Sequence, residues 1–84
     1  MTPEQAKSYV TPRDDMTVFE AFRRFASKEQ KRMVRERAKQ YDSTRIIVTM
    51  FQTVVDGNHH LIAGILAKQP IRYINLAEPR RAGD

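Results

Sequence analysis

The sequence predicts a small α+β domain: a basic, mainly helical N-terminal half (residues 1–41) packed on a small sheet. Three observations carry this reading. Helix-start signals recur through the first half. The run from Arg45 to Val55 is rich in β-branched residues, which favour strands. After Asp56-Gly57 the apolar residues take up helical spacing, then alternation.

The elements follow in chain order. Thr2-Pro3-Glu4-Gln5 supplies a cap residue, a proline at the first helical position and a glutamine three residues after the cap. It predicts a short helix near 3–9. Thr11-Pro12-Arg13-Asp14 repeats the Thr-Pro start. Thr17 to Glu20 and Ser27 to Gln30 read as capping boxes and predict helices near 18–26 and 28–40. Ser27 is also tolerated inside a helix, so one continuous helix is the alternative. Phe19, Phe22 and Phe25, then Met33, Val34, Ala38 and Tyr41, form an apolar stripe expected to be core. Asp42-Ser43 marks a break. Arg45–Val48 and Thr53–Val55 read as strands, with Met50-Phe51-Gln52 as the turn between them. Leu61, Ile62, Ile65 and Leu66, with Ala63 and Ala67, predict a helix near 58–68 that Pro70 ends. Residues 71–76 alternate as a short strand, and the tail 78–84 is expected to be loose. The strand–strand–helix–strand segment thus occupies 42–77 of a single domain spanning 1–84.

Composition narrows the function classes. The chain has 84 residues, so one small core is all it can build. It has no cysteine, which excludes disulfides, thiolate nucleophiles and cysteine metal sites and fits a cytoplasmic location. Met1 to Gln5 lacks the basic region and apolar run of a signal peptide, and no apolar stretch is long enough to span a membrane. The net charge of +5 favours acidic partners, nucleic acid first. Among the cations, Arg24, Lys28, Lys31, Arg32, Arg35 and Arg45 are the candidate nucleic-acid contacts. The plain alternative for the helical ones is a solvated face that pairs with Glu20, Glu29 and Glu36.

The most informative stretch is Val54 to Gly64: a strand, Asp-Gly, two histidines and an apolar helix. Asn58 is placed to cap that helix, whose free N–H groups favour negative charge. Asp56, Gly57, Asn58, His59 and His60 are therefore the candidate phosphate- or nucleotide-binding residues. Adjacent helical positions point about 100° apart, and no second cluster has ligand spacing, so no metal is expected. No catalytic residue is assigned; were the chain an enzyme, His59 would be the general base, oriented by Asp56 or Glu36. Asp56-Gly57 between apolar runs is also a hairpin signal. On that reading His59–Ile65 is a strand, and Gln52 to Gly57 resembles the cystatin inhibitory hairpin, with the glycine off by one.

The residues Val54-Val55-Asp56-Gly57-Asn58-His59-His60-Leu61-Ile62-Ala63, followed by Pro70-Ile71-Arg72-Tyr73-Ile74, resemble the ParB/sulfiredoxin superfamily over about residues 36–77. Its members carry hydrophobic-Asp-Gly-x-His-Arg-hydrophobic before a helix and a strand. The resemblance implies a small ParB-like α/β fold in which glycine, histidine and arginine meet phosphates. Members include nucleotide-binding DNA-partition proteins, nucleotide-using kinases and reductases, and proposed nucleases. Gly57 and His59 match, and Asp56 matches a common variant. His60 stands at the family's arginine position, and histidine neither stays charged nor grips phosphate bidentately. The sulfiredoxin cysteine is absent. The chain is thus expected to be a minimal or degenerate member.

The expected function is binding of nucleic acid or nucleotide, with a nucleoside triphosphate as the candidate cofactor. The alternative is a small phage or mobile-element inhibitor that binds an acidic protein partner. A nucleotide-dependent enzyme or nuclease is the third reading.

Overall fold

A computed structural model describes residues 1–12 and 15–77. Part of the Thr11–Asp14 helix-start signal and the whole tail 78–84 lie outside those residues. Seven elements follow one another: α1 (Pro3–Ala6), α2 (Val18–Phe25), α3 (Lys28–Lys39), β1 (Ile46–Met50), β2 (Thr53–Asp56), α4 (Asn58–Ala67) and β3 (Arg72–Asn75). The chain is a small α+β domain with a mixed three-stranded sheet.

The helix starts form by the local chemistry that the sequence offers. Thr2 and Ser27 each accept the N–H of the residue three ahead, and Gln5 and Gln30 reach back to the cap N–H groups. At Thr17 only half the box forms. Its hydroxyl accepts the Glu20 N–H, but the Glu20 carboxylate turns to Arg24 at 3.0 Å. Ala26 is extended and Ser27 caps anew, so α2 and α3 are separate helices rather than one. The first helix stops at Ala6, short of the expected residue 9. Val10 instead pairs with the outer edge of β2: its N–H reaches the Gln52 carbonyl at 2.8 Å, and its own carbonyl accepts from Val54 N–H at 3.0 Å. Long-range pairing outweighs helix propagation there.

The sheet order is β2-β1-β3, with β1 antiparallel to β2 and parallel to β3. Met50, expected in the turn, extends β1, and the turn tightens to Phe51-Gln52. Phe51 takes a left-handed φ of 53°, unusual for an aromatic residue, and is exposed. A β-bulge sits between the pairs Val48–Asp56 and Thr49–Val54, so Val55 is the extra residue of β2 just before the Asp56-Gly57 junction.

The helix α4 is the centre of the core. Residues 60–65 are buried without interruption, and α1, α2, α3 and β1 all pack on it. A helix apolar on all sides is one surrounded by protein. Ile47 and Val54 from the sheet, Val34 from α3, Val18 from α2 and Ala6 from α1 close around it, with Ile71. The aromatic stripe only partly joins. Phe19 and Phe22 pack against the core, whereas Phe25 and Met33, also expected there, are exposed. Phe25 is the last residue of α2, where the helix gives way to the extended Ala26. The hairpin reading of Asp56-Gly57 is overturned: residues 58–67 are helical, so no inhibitory hairpin exists there.

Candidate functional site

The bulge delivers β2 into Gly57, which has φ of 95°. A side chain at this position would meet Ile47 Cγ2 at 2.6 Å, so the close approach of the turn to β1 requires glycine. Gly57 is itself the cap residue, and no side chain caps the helix. Asn58, expected to be the cap, is the first helical residue. The reason is the left-handed turn, which places the helix start at the glycine. The first helical bond runs from Leu61 N–H to the Gly57 carbonyl at 2.9 Å. The N–H groups of Asn58, His59 and His60 therefore precede the helical ladder and carry the positive end of the dipole.

An open cleft of about 420 Å³ lies over these groups, lined by Arg37, Arg45, Asp56, Gly57, Asn58, His59 and His60. All five residues expected at the junction thus come together, joined by Arg45. The structure adds Arg37, which was not among the expected contacts. It is three residues after Val34, on the face of α3 that also carries Ala38 toward the core. That spacing was the available signal. Arg24, Lys28, Lys31, Arg32 and Arg35 do not reach the cleft. They lie elsewhere on α2 and α3, where Arg24 pairs with Glu20 and Arg32 with Glu29, while Lys31 donates to the Arg23 carbonyl. Exposed pairs of this kind contribute about 0.3–0.5 kcal/mol each.

The two histidines diverge as adjacent helical residues must. His59 is exposed and meets Phe22 edge-on, with ring centroids 6.2 Å apart. It also borders a second, more apolar groove with Phe22, Phe25, Gln30 and Ile62. His60 is 1% exposed and stacks on Tyr41 at 4.6 Å, nearly parallel. Neither of its ring nitrogens makes a hydrogen bond to a described residue. The Asp42 backbone comes close enough to favour a protonated ring, without completing a bond of good geometry. Asn58 Oδ1 and the Tyr41 hydroxyl are likewise buried and unbonded among the described residues. Buried polar atoms normally find a partner, and ordered water is the usual one where protein groups do not supply it.

Burial, then Arg45, then Arg37 push the His60 pKa below its ordinary 6.5, and Asp42 offsets part of this. The imidazole is neutral at pH 7 and presents one N–H donor and one acceptor. Asp42 is held below the usual carboxylate range, chiefly by the Thr44 hydroxyl and N–H. Stability should therefore depend on pH. The unfolded chain binds a proton at His60 more readily than the native one, so this contribution is complete above pH 6.5 and is lost as pH falls through the native pKa. The urea midpoint should drop between pH 7.5 and 5, and the drop should shrink in His60→Gln. An unchanged midpoint across that window would refute the neutral, buried assignment.

Among the described residues no group of three or more His, Asp or Glu could hold a metal ion, and no helix is long and apolar enough to cross a membrane. Comparisons with protein-family models, curated proteins and solved structures return no match to this chain.

Proposed function

We propose that the chain binds nucleic acid or a nucleotide through its phosphates, with one phosphate seated in the cleft at the start of α4. One observation carries the reading. Arg37 and Arg45 line the same cleft as the start of α4, where the N–H groups of Asn58, His59 and His60 precede the helical ladder. Two fixed positive charges and a helix N-terminus, with the Asp56 carboxylate at the margin, form a cradle for a tetrahedral oxyanion.

The resemblance to the ParB/sulfiredoxin superfamily supports the same location. On this reading the arginine missing at position 60 is replaced in space by Arg37 and Arg45, which approach from α3 and from the loop before β1. Asp56 lines the cleft but repels phosphate, so its part is to lead the backbone into Gly57. The exposed Lys28 and Arg35 add long-range attraction without making the seat.

The test is a titration with labelled duplex and single-stranded DNA at about 50 and 200 mM salt, with nucleoside triphosphates alongside. Binding that weakens steeply with salt is expected, because phosphate neutralisation releases counterions. Absence of binding to every one of these ligands would overturn the proposal.

A further inference from the structure

α4 packs on β1 and is itself covered by α1, α2 and α3, and the sheet face that carries Ile47, Thr49 and Val54 is the buried one. The opposite face is also apolar. Register places Ile46, Val48 and Met50 of β1 on it, beside Ile74 of β3, and the bulged Val55 of β2 adjoins them. Ile46, Met50, Val55 and Ile74 are each 41–51% exposed. Phe51 at the adjoining turn is 72% exposed and Leu76 beyond β3 is 56% exposed. The main helix–sheet packing is that of α4 on β1, whose buried residues Ile47 and Thr49 belong to the other face. A sheet with two apolar faces is a sheet covered on both sides.

Charge selects the cover. Asp56 pairs with Val48 in register and Arg72 with Ile46, so an acid stands on the β2 edge and a base on the β3 edge of the same face. Both are exposed, and neither has an ion-pair partner among the described residues. We propose that this face packs against the same face of a second copy of the chain, about a two-fold axis running along the strands. That axis lays β2 of one copy over β3 of the other. Each Asp56 then lies about two residues along the strand from the Arg72 of the second copy, within reach of an arginine side chain across sheets about 10 Å apart. A two-fold axis across the strands would instead stack β2 on β2 and bring the Asp56 carboxylates together. The isologous aligned dimer satisfies both the apolar strip and the two unpaired charges. The interface adjoins the cleft through Asp56, which lines both, while the cleft's arginines come from α3 and from the loop before β1.

The test is sedimentation velocity of the full chain over about 1 μM to 1 mM. A concentration-dependent monomer–dimer equilibrium is expected. Val55→Lys and Ile74→Lys replace exposed residues, so they should leave the thermal midpoint of dilute monomer near wild type while raising the dimer Kd at least tenfold. Asp56→Arg alone and Arg72→Asp alone should each weaken association, and the double exchange should restore it. A monomer at every concentration, or dimerisation indifferent to Val55→Lys and Ile74→Lys, would overturn the proposal. Failure of the double exchange to rescue would overturn the aligned axis.

Discussion

Replacing Gly57 with alanine is expected to cost about 2–4 kcal/mol of folding stability. Two terms add. A non-glycine residue at φ of 95° incurs roughly 1 kcal/mol or more of backbone strain. The new methyl carbon would also lie 2.6 Å from Ile47 Cγ2, on the central strand in the fully buried core. Ile47 is fixed by α4 on one side and by both neighbouring strands, so relief has to come from backbone movement. Overpacking of this kind costs typically 1–3 kcal/mol. A domain of this size has few kcal/mol in reserve, so the urea midpoint should fall by a large fraction of its value. Val55→Ala, at the exposed bulge residue two positions earlier, is the control and should move it little. A Gly57→Ala protein as stable as wild type would show that the turn is not tied to Ile47.

The contrast between Gly57 and Asn58 shows what was legible in the sequence. Caps made by side chains reach three residues ahead, so Thr2, Thr17 and Ser27 could be read directly and fall where expected. At the junction the sequence points to Asn58 as a side-chain cap, whereas the cap is Gly57. Only the approach of β1, through Ile47, decides that the left-handed glycine wins. The same limit applies to the stripes. Periodicity puts Phe19, Phe22 and Phe25 on one side of α2, but where that helix ends against α4 decides that Phe25 stays exposed. The set Asp56 to His60 was readable because it is contiguous. Eight cations crowd residues 23–39, and the spacing from Val34 that marks Arg37 gains its meaning only from the packing of α3 on α4. That His60 is buried and His59 exposed also follows from α4 packing, since both are equally polar in sequence.

The double variant Arg37→Ala/Arg45→Ala is expected to abolish most of the proposed phosphate binding while leaving the fold intact. Arg45 is exposed, Arg37 is half-buried, and neither forms an ion pair among the described residues. Hydrogen bonds to charged groups are worth about 1.5–3 kcal/mol each, so each arginine should account for roughly 10- to 100-fold in affinity. Loss of both should also flatten the dependence of log K on log salt, because fewer counterions are released. Arg37→Lys/Arg45→Lys keeps the charge and removes the planar fork; it should retain the salt dependence and recover only part of the affinity. Substituting Lys28 and Arg35 by alanine should weaken binding far less, since they lie outside the cleft. The arginine pair has a second readout that needs no ligand. Both guanidinium groups depress the His60 pKa, after burial itself. Without them the native pKa moves back toward 6.5, the native and unfolded chains bind protons more nearly alike, and the loss of stability between pH 7.5 and 5 becomes smaller. Unchanged DNA binding with a reduced acid sensitivity would leave the cleft electrostatics standing and remove the phosphate. Unchanged behaviour in both assays would mean that neither arginine acts on His60 or on a bound anion.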